Sequence, residues 1–241
     1  MQKALYPEGA ATCHAVVIHP PGGIAGGDSL ELAAQVEPGA HALVTTPGAA
    51  KWYKANGRPA EQRIRLDVSG TLEWLPQEAI VFDAAHVTSS IDIALGAEAS
   101  TIGWDVVALG RRAAGERFAQ GRYRQAIRLS IGGALVWHER THIAGSDALL
   151  DSPVGLEGRH VFGCLWAAGP AVATLDLDEL RDTLGAQSAA SPVTRLAPRL
   201  IVARTRADST TAARASLAAL WHALRPRLCG SPARPPRLWA T

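Results

Sequence analysis

Arg63-Ile64-Arg65-Leu66-Asp67-Val68-Ser69-Gly70-Thr71-Leu72-Glu73-Trp74-Leu75 is the stretch on which the fold reading turns. Residues 63–68 alternate polar with apolar, the period of a strand buried on one face. Ser69-Gly70 supplies turn residues, and the alternation resumes from Thr71. Two alternating runs around a two-residue turn predict a β-hairpin. The same period recurs outward from this point. Ser29-Leu30-Glu31-Leu32-Ala33 reads as a strand, as do the segments carrying Ile91, Ile93 and Leu95 and then Ile127, Leu129 and Ile131. The last is followed by Gly132-Gly133 and Ala134-Leu135-Val136-Trp137, a second hairpin signal.

The final third changes period. Leu177, Leu180 and Leu184 share a helical face, with Gly185 as a stop. Leu200-Ile201-Val202-Ala203 reads as a buried strand. Asp208-Ser209 offers an N-cap for a helix whose stripe is Ala213, Leu217, Leu220, Trp221 and Leu224, and Pro226 is expected to end it. The Pro-rich tail from Pro232 to Thr241 is expected to be extended. No solenoid-length repeat stands out. The expected fold is mainly β: a single domain over residues 1–241, with stacked β-sheets in a β-helix-like or irregular sandwich arrangement and one or two helices in the C-terminal third.

Composition narrows the function classes. The chain has 241 residues, 47% hydrophobic and 19% charged, as a globular core requires. No run of eighteen apolar residues is present to span a membrane, and the N-terminus lacks an apolar signal core. Three dispersed cysteines, Cys13, Cys164 and Cys229, make a poor disulfide framework and fit a cytoplasmic setting. Charge is asymmetric: residues 1–110 sum to −6 and residues 111–241 to +8, which suits protein partners. The arginines are scattered and lack interleaved aromatics, which argues against nucleic acid.

A search for chemistry yields little. His19-Pro20-Pro21-Gly22-Gly23-Ile24-Ala25-Gly26-Gly27-Asp28 is glycine-rich, but a phosphate loop needs a Lys where Asp28 stands. A dinucleotide fingerprint needs a helix next, and the following residues read as a strand. Backbone geometry explains the glycines better. His14 and His19 fall on opposite faces if their segment is a strand. His138 and His142 share a face but lie too far apart for a closed zinc site. Glu73 and Glu78 read as solvated or hydrogen-bonded turn residues. No nucleophile elbow and no catalytic constellation appears.

Several segments in order resemble the urease accessory protein UreD (UreH) family. They are His19–Asp28; Thr45-Thr46-Pro47-Gly48-Ala49-Ala50-Lys51 with Trp52-Tyr53; Glu73-Trp74-Leu75-Pro76-Gln77-Glu78; and Gly103-Trp104-Asp105 followed by Gly110–Glu116. Asp151-Ser152-Pro153-Val154-Gly155-Leu156 and Pro235-Pro236-Arg237-Leu238-Trp239 complete the series. The resemblance implies a non-enzymatic scaffold and conduit for urease maturation. It implies partners UreF, the GTPase UreG and the urease structural subunits, with no membrane or nucleic-acid partner. It implies no tightly bound cofactor and transient passage of Ni2+. Weak, exchangeable ligands suit such passage, so Asp28, Glu78, Asp83, Asp105, Glu116 and Asp151 are expected to line the route, beside the motif loop His19, Pro20, Pro21, Gly22, Gly23, Gly26, Gly27 and Asp28. The chain starts near the segment Tyr6-Pro7-Glu8-Gly9, so strands that usually precede it are expected to be shortened. Two other readings stay open: a β-rich protein-interaction module and a metal-binding enzyme of unrecognised type.

Overall fold

A computed structural model of the chain describes residues 3–185 and 190–240. It is mainly β. The 63–75 stretch forms two strands, β5 (Ala60–Val68) and β6 (Thr71–Trp74), and they do not pair with each other. β5 lies parallel between β2 (Ser29–Val36) and β8 (His86–Leu95). β6 lies parallel between β3 (His41–Thr45) and β9 (Ser100–Leu109) in another sheet. Ser69-Gly70 is therefore a corner between two stacked sheets, not a hairpin turn. Alternation gives each strand its inward face but not its neighbour, so a corner and a hairpin look alike in sequence.

The corner repeats, and the repeat makes a β-solenoid. Ser69 N–H donates to Val36 O at 2.7 Å, Gly96 N–H to Val68 O at 2.8 Å, and Gly132 N–H to Leu95 O at 2.8 Å. His41 pairs with Thr71 and Thr71 with Ser100, steps of 30 and 29 residues. Ala50 of β4 (Ala50–Trp52) pairs with Ala79 of β7 (Ala79–Val81), and Ala79 pairs with Val107, steps of 29 and 28. A structural repeat thus exists where no sequence repeat was expected. Coils are held by length and inward apolar character, and neither needs residue identity. Gly70 fits the corner because a Cβ there would lie 2.3 Å from Ala40 O and 2.4 Å from Glu37 O.

Parallel register stacks like on like. Leu32, Ile64, Ile91 and Ile127 form one inward ladder, and Ala34, Leu66, Ile93 and Leu129 the next. Each buried branched side chain contributes about 1.5–3 kcal/mol of transfer free energy. β10 (Arg122–Ile131) and β11 (Ala134–Ala144) form the expected antiparallel hairpin and finish the five-stranded sheet, ordered β11-β10-β8-β5-β2.

The nine-stranded sheet runs β1-β3-β6-β9-β12-β14-β13, with β4 and β7 beside it. Its further strands are β1 (Cys13–Val16), β12 (Val161–Ala168), β13 (Val193–Ala197) and β14 (Leu200–Ala207). One face meets the five-stranded sheet, where Trp74, Trp137, Cys164 and Trp166 join the aliphatic ladders. The other face is covered by α2 (Thr210–Cys229), through Leu217, Leu220, Trp221 and Leu224. A short α1 (Leu177–Asp182) is capped by Asp176, whose side chain accepts from Asp178 N–H.

Ser209 caps α2 by accepting from Ala212 N–H at 3.1 Å. Pro226 does not end this helix, which continues to Cys229 and stops at Gly230 in the left-handed conformation. So near the end Pro removes one N–H donor while buried Arg225 and Leu228 hold the last turn. The tail is not simply extended, since Arg237–Ala240 is a 3-10 turn. It returns Trp239 onto Trp104 and Trp221, with ring centroids 5.3 and 5.6 Å away, and Trp239 Nε1 donates to Thr45 Oγ1 at 3.0 Å. No helix among the described residues is long and apolar enough to cross a membrane.

Candidate functional site

The inward face of the nine-stranded sheet carries one polar row. Asp105 of β9, Cys164 of β12 and Arg204 of β14 lie side by side in register. Opposite them, the five-stranded sheet presents Gln125 of β10 and Thr141 of β11, also paired in register. The two rows bound a cavity of about 370 Å³, with Glu139 beside them. Gln125 Nε2 donates to Asp105 Oδ2 at 2.5 Å across the gap. Arg204 donates to Glu139 at the outer side, where Arg204 is about half exposed and Glu139 mostly covered.

Electrostatics follow from that enclosure. Protein atoms surround the Asp105 carboxyl, although part of its surface faces the cavity. Burial raises its pKa, and the hydrogen bonds from Gln125 and from Val106 N–H only partly counter this. Burial also raises Cys164 well above the usual thiol range; Glu139 adds to that, and Arg204 opposes it. Cys164 is therefore a neutral thiol and no nucleophile at neutral pH. The cavity offers two carboxylates, an amide, two hydroxyls and a thiol, beside the guanidiniums of Arg204 and Arg206, on walls that do not close into a compact ligand set. Such a set holds a divalent ion weakly and lets it leave. Trp74 and Trp166, in the apolar layer between the sheets, and Thr101 of β9 carry buried polar atoms with no protein hydrogen-bond partner: Trp74 Nε1, Trp166 Nε1 and Thr101 Oγ1.

Of the six acids expected along a route, Asp105 alone lines this cavity among the described residues. Asp28 caps its own turn, accepting from Ala25 N–H at 2.8 Å. Glu78 lies 3.5 Å from Arg214 of α2. Asp83 and Glu116 are brought together: Asp83 accepts from Ala119 and Gln120 N–H, while Glu116 accepts from Asp83 N–H and pairs with Arg111. Asp151 borders a separate cavity of about 150 Å³ with Arg112, Arg117, Arg159 and His160. The glycine-rich segment, with His19, Pro20 and Pro21 leading in, is a loop laid against the next coil. A Cβ on Gly23 would lie 2.3 Å from the Tyr53 ring, and one on Gly26 would lie 2.9 Å from Arg58 O; Gly22 and Gly27 have positive φ.

A second polar cluster lies on the opposite face of the same sheet. Glu73 is not a solvated turn residue: it is fully buried beneath α2. Its carboxylate accepts from Trp221 Nε1 at 2.6 Å and Arg225 Nε at 3.0 Å, and lies 2.8 Å from His41 Nε2. Arg225 also donates to both oxygens of Glu8 at 2.8 Å, and Glu8 reaches His14 Nε2 at 2.8 Å. His41, Glu73 and Cys229 are the one group of three possible metal ligands within 4.8 Å among the described residues. Arg225 already supplies the positive charge there, and both Glu73 oxygens are engaged, so the cluster reads as an internal clasp.

Gln125, Glu139, Cys164 and Arg204 were not nominated from sequence. A signal was present: Glu139 shares strand phase with buried Trp137 and Ile143, and Gln125 with buried Tyr123 and Ile127. A polar residue in the inward phase marks a polar interior.

The family profile described as "UreD urease accessory protein" matches residues 1–240. A urease accessory protein UreD from Pseudomonas fluorescens is 48% identical over 243 residues, covering all of this chain and 85% of the relative. Proteins of the same name from Dechloromonas aromatica and Pseudomonas aeruginosa are 45% and 46% identical, with the same coverage.

Proposed function

The chain belongs to the UreD family of urease accessory proteins, and on that premise we propose that it is a non-catalytic cytoplasmic scaffold and conduit for nickel. In this reading it binds UreF, recruits the GTPase UreG through that complex and docks on the urease apoprotein. Ni2+ is its cargo and passes between the two sheets. The observation that carries this reading is the polar row Asp105–Cys164–Arg204 facing Gln125 and Glu139 across an otherwise apolar interior.

The chemistry is transfer without capture. Burial makes a charge on Asp105 costly, and no cation pairs with it among the described residues, so an approaching dication would offset that cost without displacing a salt bridge. The sparse donors keep each stop shallow. Asp105→Ala is expected to lower nickel-dependent urease activation at least several-fold while the chain still co-purifies with UreF and UreG. Unchanged activation by an intact complex overturns the assignment of Asp105 to the route.

A further inference from the structure

The outer face of the five-stranded sheet is exposed, and its charges divide into two unlike halves. Registered residues share a face, so its composition can be read from the pairings. On β2 and β5 the charges are mutually satisfied: Arg63 pairs with Glu31 and Glu61, and Arg65 with Asp67. On β10 and β11 they are not. Arg122, Arg124 and Arg128 alternate along β10, and His138, Arg140 and His142 answer them on β11. The acid facing them from β8 is Asp92, 3.9 Å from Arg128, with both side chains about half exposed. Arg124 Nε reaches His142 Nε2 at 3.3 Å; Arg122 and Arg140 have no side-chain partner among the described residues.

We propose that the β10–β11 half of this face is a docking surface for an acidic, carboxylate-rich protein surface. Three observations support a protein with local acidity. A shallow groove of about 480 Å³ runs over small residues, Thr88 and Ser90 of β8 and Ala126 of β10, beside Arg124, Arg140 and His142. A register shift between Leu129 and Ser130 turns Leu135 outward at the end of the patch, 53% exposed. Cations around an apolar side chain make the mixed surface that protein interfaces use. The patch is also short, four rows or about 20 Å along the strands, and across β8 lie Glu61 and Asp67 of β5, with Glu31 beyond them on β2. A nucleic-acid backbone running on would meet those acids, and among the described residues the exposed face presents no Trp, Tyr or Phe for base stacking. Complementary charge then sets the association rate and choice of partner.

The surface lies outside the inter-sheet cavity, so its test does not depend on nickel passage. Fluorescently labelled poly-L-glutamate is titrated into the full chain at low and at moderate salt. The expected result is salt-sensitive binding that weakens at least tenfold in R124E/R140E and less than twofold in R63E/R65E, with circular dichroism unchanged. R124Q/R140Q, which removes charge without reversing it, is expected to fall between and serves if the reversed pair fails to fold. Absent binding, equal loss from both halves of the face, or tighter binding of duplex DNA overturns the proposal.

Discussion

At the residue scale, two buried carboxylates face opposite sides of one sheet and are handled in opposite ways. Glu73 is saturated by Arg225, Trp221 and His41, whereas Asp105 has Gln125 and one backbone N–H. Removing one member of a saturated buried pair strands its partner's charge, so Arg225→Met is expected to cost about 3–5 kcal/mol in urea unfolding. Arg227→Met, which breaks an exposed pair with Glu179, should stay within about 0.5 kcal/mol. Asp105 behaves differently. Its raised pKa means that the folded state holds the proton more tightly than the unfolded chain. Ionisation at neutral pH therefore opposes folding, and the penalty disappears as pH falls. Asp105→Asn keeps the shape without the charge and is expected to stabilise the protein by about 0.5–2 kcal/mol at pH 7. An unchanged or lowered Tm would show that Asp105 is not held at a cost.

At the element scale, the corner decides the architecture. Gly70→Ala would drive a methyl into the carbonyls of Glu37 and Ala40, and is expected to destabilise by about 2 kcal/mol or more. Gly48→Ala, with open space around its Cβ, makes the matched control in the same thermal melt. This corner also marks where the sequence stops being legible. The inward faces of β5, β8 and β10 were readable because alternation is local. The β10–β11 hairpin was readable because Gly132 and Gly133 both hold positive φ in its turn. The partners of β5 and β6 were not, because parallel pairing joins residues about 30 positions apart and leaves no local mark. The site follows the same pattern. Asp105 was visible within its motif. Glu139 and Arg204 lie 65 residues apart and become one feature only when the two sheets close.

At the scale of the whole molecule, Arg225 closes the chain on itself. It links α2 to Glu8 across 217 positions, to Glu73 in the middle coil, and to Pro232 O in the tail. The N-terminal segment is thus tied to the last helix by a carboxylate that titrates. Burial alone would raise Glu8, but hydrogen bonds from Arg225 and His14 outweigh it and hold the pKa below its ordinary value. A depressed carboxylate stabilises the fold fully above its unfolded pKa of about 4.3, and loses that contribution as pH falls through the folded value. Acid should therefore open the clasp before the sheets separate. The Leu5 and His14 amides, which bond reciprocally at 3.0 and 2.7 Å, report it directly. Their hydrogen exchange relative to that of Leu165, fully buried in β12, is expected to quicken between pH 6 and pH 3, once corrected for intrinsic rates. In Glu8→Gln the two amides should be poorly protected already at pH 6 and gain little from further acid. If Leu5 and His14 open together with Leu165 at every pH, the termini are not a separate cooperative unit and the clasp does not control them.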